Sequence, residues 1–158
     1  MSTTASPSER VAGATESWQE LYDEYVQAIG AMEDEVDQTE YHLRAARLLR
    51  DKLDNPGEAI GHFRSVLEID DRHQAALAEL AQLLEQTEAW SELVVVLETR
   101  LEEAGNAFEQ TEIGLKIGDV YRHQLQDTEK AVAAYRQVMD EGENDERSIG
   151  ALEEIFRE

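Results

Sequence analysis

Apolar residues recur at steps of three and four positions along most of this chain, which is the spacing of one face of an α-helix. The spacing is clearest in 73–86, where the apolar positions are Ala76, Leu77, Leu80, Ala81 and Leu84. Segment 89–104 shows the same spacing from Trp90 onward. The three consecutive valines that begin at Val94 favour a strand by propensity, but they lie within a helical period. Because the period extends over a long window, it outweighs propensity, and both segments are predicted to be helices.

Turn-forming residues divide the helical pattern into segments of similar length. They fall at 54–57, 70–71, 86–87, 104–106 and 141–144. In the first of these turns Asn55 precedes Pro56, and this order disfavours helical dihedral angles at the asparagine. The pattern predicts an all-α fold of eight helices at about 16–31, 38–53, 57–69, 73–86, 89–104, 108–125, 129–141 and 145–157. Loops of about two to six residues make consecutive helices antiparallel neighbours.

The first fifteen residues are small and polar, and they lack the apolar stretch of a secretory signal. We interpret residues 1–15 as a flexible leader and residues 16–158 as the folded domain. An alternative is a helix that begins near Ser6 and Pro7, because serine is a good N-cap and proline is tolerated at the first helical position. No segment approaches the roughly 18 consecutive apolar residues of a membrane span, so we expect a cytoplasmic protein.

The chain aligns with itself without gaps when it is shifted by 72 positions. Large apolar residues then coincide with large apolar residues, while the polar positions differ. The matched pairs include Trp18 with Trp90, Leu43 with Leu115, Phe63 with Tyr135, Val66 with Val138 and Leu80 with Leu152. Each period divides again into two related halves of about 36 residues, which predicts stacked helix pairs. Because short helices are marginal alone in water, the repeats are expected to fold together by burying their apolar stripes.

These repeats resemble the tetratricopeptide repeat (TPR), a helix–turn–helix unit of about 34 residues. The second helix of that unit carries a small residue followed four positions later by an aromatic one. Ala59 and Phe63 match this pair, and so do Ala131 and Tyr135 one period later. The first helix carries a small residue, as at Gly118. The resemblance covers nearly all of the predicted domain, and it implies a right-handed superhelical solenoid of antiparallel helix pairs.

The sequence departs from the family pattern in several places. Asp70 and the residue after it stand where a proline usually follows the second helix. The turns before Ala59 and Ala131 each carry one extra residue, and Glu153 occupies a position that is usually small. Trp18 resembles the start of a second helix whose first helix is missing. Its repetition at the equivalent tryptophan favours a packing wedge at the helix turn over an aromatic platform for a ligand.

In this family the first helix of each pair lines a concave groove, so the resemblance implies a groove face on four helices. The implied positions are Glu40, Leu43, Arg44, Arg47, Arg50, Asp51, Ala75, Ala78, Glu79, Gln82, Glu85, Gln86, Glu112, Leu115, Lys116, Asp119, Arg122, His123, Arg147, Gly150, Ala151, Glu154, Arg157 and Glu158. The residues that we select from this face as partner-binding are Arg44, Arg47, Arg50, Glu79, Gln82, Lys116, Asp119 and Arg122.

The chain carries 14 basic and 36 acidic residues, giving a formal net charge of −22. Such a chain repels phosphate backbones, which argues against a nucleic-acid-binding protein. Seven cations and eight anions fall among the 24 implied groove positions, so this face carries only about −1. Arg44, Arg47 and Arg50 lie three apart and could form a cationic stripe that binds an acidic or carboxylate-bearing peptide. The alternative is that Asp51, Glu79 and Glu85 of the chain itself pair with these arginines across neighbouring helices.

Residue patterns typical of catalysis or of metal binding are missing from the sequence. There is no cysteine, which excludes disulfides, thiol catalysis and Cys-ligated metals. The four histidines form neither an i,i+4 metal pair nor a Glu-x-x-His motif. The acidic segment 33–37 lacks the central glycine and the distal glutamate of a calcium-binding EF-hand loop. We therefore expect no enzymatic activity, no cofactor and no metal.

Three functional hypotheses follow. The first is a non-catalytic protein–protein interaction scaffold that binds a protein or peptide through its groove. The second is a structural element that self-associates end to end, and the third is a regulatory fragment of a longer multi-repeat protein. Neither end of the repeats carries a clear polar capping helix, which is the reason for the second and third hypotheses. Size in solution would separate the first hypothesis from the second.

Overall fold

The computed structural model describes residues 7–141 and 145–157, and all regular structure in these residues is helical, with no strand. The described α-helices are α1 Pro7–Ala31, α2 Glu35–Asp51, α3 Pro56–Ile69, α4 Gln74–Gln86, α5 Trp90–Glu102, α6 Ala107–Asp119, α7 Thr128–Glu141 and α8 Glu146–Ile155. A π-helical turn, Val120–Gln124, continues α6 toward the next loop. The predicted all-α fold is confirmed, and each of the eight predicted helices overlaps an observed one. The valines at and after Val94 lie in α5, so the helical period was the better guide there.

The first helix begins earlier than the apolar period predicted. Helix α1 starts at Pro7, whereas the predicted leader extended to residue 15. Proline is favourable in a first helical turn, because the N–H that it lacks would have no helical partner there. The side chains of 13–20 are all exposed, so this part of α1 buries no apolar stripe that a sequence pattern could reveal. The alternative start near Ser6 and Pro7 therefore agrees with the structure, and residues 1–6 lie outside the described residues.

Trp18 does not begin a helix, although its equivalent Trp90 does. Trp90 is the first residue of α5, whereas eleven residues of α1 precede Trp18. The Trp18 side chain is 36% exposed, and the Lys52 Nζ lies 5.6 Å from its ring centroid. The interpretation of Trp18 as the start of a second helix is therefore wrong, since the helix extends well beyond it toward the N-terminus.

The chain divides into two compact units, Met1–Ala76 and Leu77–Glu158. In the first unit α2 packs along α3, and α1 packs on α2. The buried apolar residues of α2 and α3 are Leu43, Ala45, Ala46, Leu48, Leu49, Ala59, Phe63 and Val66. Phe63 is fully buried, as expected for the aromatic position of the repeat. Helix α1 differs from its neighbours, because none of its described side chains is buried.

The second unit contains α5 to α8 and most of α4. Tyr135 on α7 is fully buried at the position equivalent to Phe63. It belongs to a continuous core cluster made of Leu115, Ala131, Tyr135, Val138 and Leu152. Leu93 and Leu97 on α5 are also buried. Helices α2 and α3 therefore bury largely the same positions of the 72-residue period as α6 and α7, whereas Leu21 and Tyr25 of α1 are only half-buried where their equivalents Leu93 and Leu97 are buried.

The repeat extends to the capping of the helices. Asp34 and Asn106, which are 72 residues apart, accept backbone N–H bonds at the starts of α2 and α6, at 3.1 and 2.9 Å. Asn55 and Asp127, again 72 apart, do the same for α3 and α7, at 3.2 and 3.0 Å. A side-chain cap satisfies a backbone donor that has no helical partner and typically contributes about 1 kcal/mol. The 72-residue period thus specifies where helices begin as well as what they bury.

The turn inside each repeated helix pair is also conserved between the two units. Asp54 and Gln126 occupy equivalent positions and have positive φ angles of 48° and 54°. The Leu125 N–H bonds to the Val120 carbonyl five residues earlier at 3.0 Å, and the equivalent bond one period earlier is 3.2 Å. Such a wide turn accommodates one more residue than an α-helical turn. It therefore accounts for the extra residue in these two turns.

Helices α6 and α7 approach each other closely at two glycines. A Cβ atom added to Gly118 would lie 2.5 to 2.8 Å from three ring carbons of Tyr135. A Cβ atom on Gly114 would overlap a methyl group of Val138. The absence of side chains at these glycines therefore sets the distance between α6 and α7.

We predict that Gly118→Ala destabilises the protein by about 1–3 kcal/mol, because the buried Tyr135 ring must move to make room. The matched control is Gly150→Ala in α8, where an added Cβ would meet nothing within 4 Å. That control should gain about 0.5–1 kcal/mol from the better helix propensity of alanine. Urea unfolding measures both, and equal effects of the two substitutions would contradict the close approach.

Candidate functional site

A cleft of about 500 Å³ opens on the second unit beside α6 and α8. We call it the α6–α8 cleft, and it is lined by Glu85, Trp90, Glu112, Leu115, Lys116, Asp119, Val120, His123, Gln124, Tyr135, Arg147 and Ala151. Eight of these residues are groove positions implied by the family resemblance. They are Glu85, Glu112, Leu115, Lys116, Asp119, His123, Arg147 and Ala151. Eight of the 24 groove positions that the resemblance implies thus share one cavity, and the other 16 do not line it.

Helix α6 and the π-helical turn that continues it contribute seven of the twelve lining residues. Glu112, Lys116 and Asp119 follow one another at steps of four and three, which places them on one face of the helix. Beyond Asp119 the helix widens into the π-helical turn, and Val120 and Gln124 enter the lining. These two residues are not among the implied groove positions, because those positions assume α-helical spacing through a segment that is π-helical. The extra residue in the turn before Ala131 is the feature of the sequence that could have indicated this change of spacing.

The floor of the α6–α8 cleft is apolar and tightly fixed. Leu115 and Val120 are only 7% and 6% exposed. The Tyr135 hydroxyl donates a hydrogen bond of 2.6 Å to Asp119 Oδ1. Burial and this bond to a carboxylate both raise the pKa of Tyr135 far above its ordinary value. The buried Tyr135 thereby fixes the position of the Asp119 carboxylate, although Asp119 is exposed to solvent.

Two ion pairs between helices form the rim of the cleft. The Lys116 Nζ lies 2.6 Å from Glu85 Oε2, which joins α6 to α4. The Arg147 guanidinium lies 2.6 Å from Glu112 Oε1, which joins α8 to α6. The side chains in both pairs are about half exposed, so solvent screens both ion pairs and each is weak. A carboxylate from a partner can therefore replace either glutamate at little cost in stability.

The three arginines selected on α2 lie in the first unit, and each already has an interaction. The Arg44 Nε bonds to Glu40 Oε1 at 2.8 Å, and the Arg50 Nε bonds to Asp51 Oδ1 at 2.7 Å. Arg47 is half-buried and is also engaged. Of the carboxylates that the alternative names, Asp51 pairs with Arg50, and it lies on the same helix rather than on a neighbouring one. Glu40 rather than a residue of a neighbouring helix pairs with Arg44, a partner that the sequence analysis did not name.

The five other selected residues lie on α4, on α6 and in the π-helical turn. Lys116 and Asp119 line the α6–α8 cleft. Arg122 has a side chain that is 14% exposed, and its guanidinium lies 2.9 Å from Glu154 Oε2. Glu79 is half-buried and Gln82 is exposed on α4, and neither belongs to the lining of the cleft. The structure thus brings two of the eight selected residues into one cavity.

A second cleft of about 490 Å³ lies between α5, α6 and α7 of the same unit. We call it the α5–α7 cleft, and its lining is Glu98, Leu101, Gln110, Gly114, Ile117, Tyr121, Lys130, Ala133, Ala134, Gln137 and Val138. Its polar contacts are looser than those of the first cleft. The Tyr121 hydroxyl lies 3.4 Å from Glu98 Oε1, and the Lys130 Nζ lies 5.2 Å from the Tyr121 ring centroid.

Among the described residues, no group of three or more histidines, aspartates and glutamates is placed to hold a metal ion. In the same part of the chain, no helix is long and apolar enough to cross a membrane. A scan of the sequence against protein-family models finds no match, and a search of curated proteins also finds none.

We predict that Tyr135→Phe costs about 1–2 kcal/mol, because it removes a hydrogen bond to a charged group while Asp119 regains water. The matched control is Tyr121→Phe, whose hydroxyl makes only the 3.4 Å contact, and it should change stability by less than about 0.5 kcal/mol. Urea unfolding at neutral pH compares the two. Similar costs for both tyrosines would contradict the role given to Asp119.

The Tyr135→Phe variant also tests the raised pKa of Tyr135. A tyrosine whose pKa is higher in the folded state adds stability that is fully present below the unfolded pKa of about 10. That stability is lost as the pH rises above 10 toward the folded pKa. Unfolding free energy should therefore fall less steeply above pH 10 in Tyr135→Phe than in the wild type.

Proposed function

We propose that this protein is a TPR-like solenoid module that binds a partner peptide without catalysis. The support is the 72-residue repeat, which recurs in the buried positions, the helix caps and the positive-φ turns of the two units. Repeats of this kind build extended binding surfaces from successive helix pairs. The proposal assigns binding to the α6–α8 cleft in place of the arginine stripe on α2.

The observation that carries the proposal is the combination of shape and chemistry in the α6–α8 cleft. Its floor is apolar, and its rim holds Lys116 and Arg147 in exchangeable ion pairs. Ligand sites typically combine an apolar lining with a few placed polar groups. The partner that fits is an extended segment with an apolar side chain for the floor and a carboxylate for the rim.

The preference for a partner that carries a carboxylate follows from the charged groups at the rim. Lys116 and Arg147 are charged donors whose present acceptors, Glu85 and Glu112, are half exposed. If a partner carboxylate takes one of these cations, the displaced glutamate returns to water with little loss. A partner ammonium group would likewise have to displace a cation from one of the glutamates, so the second contact of Arg147, with Asp145, makes the difference. A guanidinium can bond two carboxylates at once, so Arg147 can accept a partner carboxylate and keep one of its own.

We predict that Lys116→Glu weakens binding of such a peptide at least tenfold, because it replaces a rim cation with a charge that repels the peptide carboxylate. Peptides are first selected from a displayed random library against the wild type, and affinities are then measured by fluorescence anisotropy. The matched control is Lys130→Glu at the α5–α7 cleft, the same change on the same unit, and it should alter affinity less than about threefold.

The triple variant Arg44→Glu, Arg47→Glu and Arg50→Glu tests the site that the sequence analysis favoured. Under the present proposal it leaves peptide affinity within about threefold of the wild type. A loss as large as that of Lys116→Glu would move the binding site to α2. Light scattering on the same samples tests the self-association hypothesis, since concentration-dependent growth in mass without peptide would favour an assembly element.

A further inference from the structure

The two units differ at one equivalent place, which lies between α1, α2 and α3 in the first unit. There the ring centroids of His42 on α2 and His62 on α3 are 5.1 Å apart, and their Nδ1 atoms are 2.8 Å apart. The Tyr22 hydroxyl of α1 lies 3.0 Å from Nε2 of His62. Polar rings of the first unit therefore occupy this place and connect its three helices.

The second unit has small residues where the first has histidines. The equivalents 72 residues later are Gly114 on α6 and Ala134 on α7, and both line the α5–α7 cleft. Val138 takes up the space directly beside Gly114, since an added Cβ would overlap its methyl group. A cavity of about 490 Å³ nevertheless remains between α5, α6 and α7. The second unit thus keeps open a place that the first unit fills with rings.

The floor of the α5–α7 cleft is apolar, and an aromatic ring forms part of its lining. Ile117 and Val138 are only 5% and 4% exposed, and Leu101 is half-buried. The half-buried Tyr121 contributes the ring. A flat aromatic group suits such a site, because it can pack on the apolar side chains and against the tyrosine.

A third cleft of about 490 Å³ adjoins the α5–α7 cleft near the end of α5. Its lining consists of Glu98, Leu101, Glu102, Gln110 and Gln137, and all of these except Glu102 also line the α5–α7 cleft. We call it the Glu102 extension. The two glutamates lie four residues apart on α5, so they share one face of the helix. The described lining of the extension contains two carboxylates and no cation.

Both carboxylates are available to a ligand. Glu98 Oε1 accepts only a 3.4 Å contact from the Tyr121 hydroxyl, and Glu102 has no hydrogen bond or ion pair within the described residues. Lys130, which lines the α5–α7 cleft, is 3.7 Å from Asp127 through its Nζ and is not part of the extension. Like charges one turn apart on a helix repel each other, so a cation between the two glutamates would relieve their repulsion.

The lining offers few partners to a peptide backbone. Backbone groups inside a helix already bond to each other. The two side-chain amides are engaged as well, since Gln110 Nε2 lies 3.4 Å from the Ala104 carbonyl oxygen and Gln137 also has an interaction. A peptide in this cleft would therefore depend on water for its N–H and C=O groups. A small molecule that has only a ring and a charged arm has no such requirement.

We propose that the α5–α7 cleft and the Glu102 extension bind a small aromatic amine. Its ring lies on the apolar floor, and its ammonium group lies between Glu98 and Glu102. An ammonium group is a compact charge with three donors, so two carboxylates can share it. This site lies apart from the α6–α8 cleft and selects the opposite charge, so it does not depend on the peptide proposed for that cleft.

Three probes that share an indole ring test the charge of the arm. Tryptamine carries an ammonium group, tryptophol a hydroxyl group and indole-3-propionate a carboxylate. In NMR titrations tryptamine should bind with a dissociation constant of about 1 mM or below, with its largest amide shifts at α5 and α7 residues such as Leu101 and Ala133. The other two probes should bind this cleft at least about fivefold more weakly. Equal affinities, or tryptamine shifts elsewhere, would overturn the proposal.

A dipeptide of tryptophan and lysine, acetylated and amidated at its ends, tests the class of the ligand. It carries the same ring and an ammonium group on a peptide backbone. It should bind the cleft at least about threefold more weakly than tryptamine, because its backbone groups find no partner there. Tighter binding of the dipeptide would overturn the assignment to a small molecule.

Removal of the two carboxylates tests their role. The double variant Glu98→Gln and Glu102→Gln keeps the size of both side chains and should weaken tryptamine binding at least about fivefold. The matched control is Glu92→Gln with Glu129→Gln, which removes the same charge from α5 and α7 outside both clefts. It should change the affinity less than about twofold. Equal losses in the two double variants would overturn the proposal.

Filling the cavity tests its position. Ala134→His introduces the ring that the first unit has at His62, and it should weaken tryptamine binding at least about tenfold because it occupies the floor. Ala107→His, at the exposed start of α6, is the matched control and should stay within about twofold of the wild type. Undiminished binding in a folded Ala134→His variant would overturn the proposal. If this variant fails to fold, the carboxylate variants decide.

Discussion

The close approach of α6 to α7 is the constraint on which the second unit depends. Gly118 lets the Tyr135 ring lie against the backbone of α6, and from there the tyrosine hydroxyl reaches Asp119. With its buried face packed against α7 in this way, α6 presents Lys116 and Glu112 to the cleft. The contact between Gly118 and Tyr135, together with the hydroxyl bond to Asp119, thus helps to determine where the charged rim lies.

One repeated backbone produces two different surfaces, because the period specifies the core but not the residues around it. Where the first unit has His42 and His62, the second has Gly114 and Ala134. In the first unit the imidazoles join three helices through polar bonds, and in the second an open cleft of about 490 Å³ remains. Repeats conserve burial, caps and turns, and leave positions such as these free to differ.

Helix positions and the all-α class could be predicted from sequence because burial imposes a period of three and four, as at Leu80 and Leu84. The start of α1 at Pro7 does not follow from this period, because exposed helical residues leave none, and only the local preference for serine and proline at a helix start indicated it. The ion pairs were equally inaccessible, since Lys116 and Glu85 lie 31 positions apart and pair only after folding. The contact between His42 and His62 was missed for the same reason: histidines 20 positions apart form no motif until α2 and α3 pack.

The central claim is that the α6–α8 cleft holds the peptide, and NMR chemical-shift mapping with a selected peptide tests it most directly. The account predicts that the largest amide shifts fall on α6 and α8, at residues such as Lys116, Asp119 and Ala151. Shifts confined to α2 around Arg47, or to the α5–α7 cleft around Ala133, would contradict it.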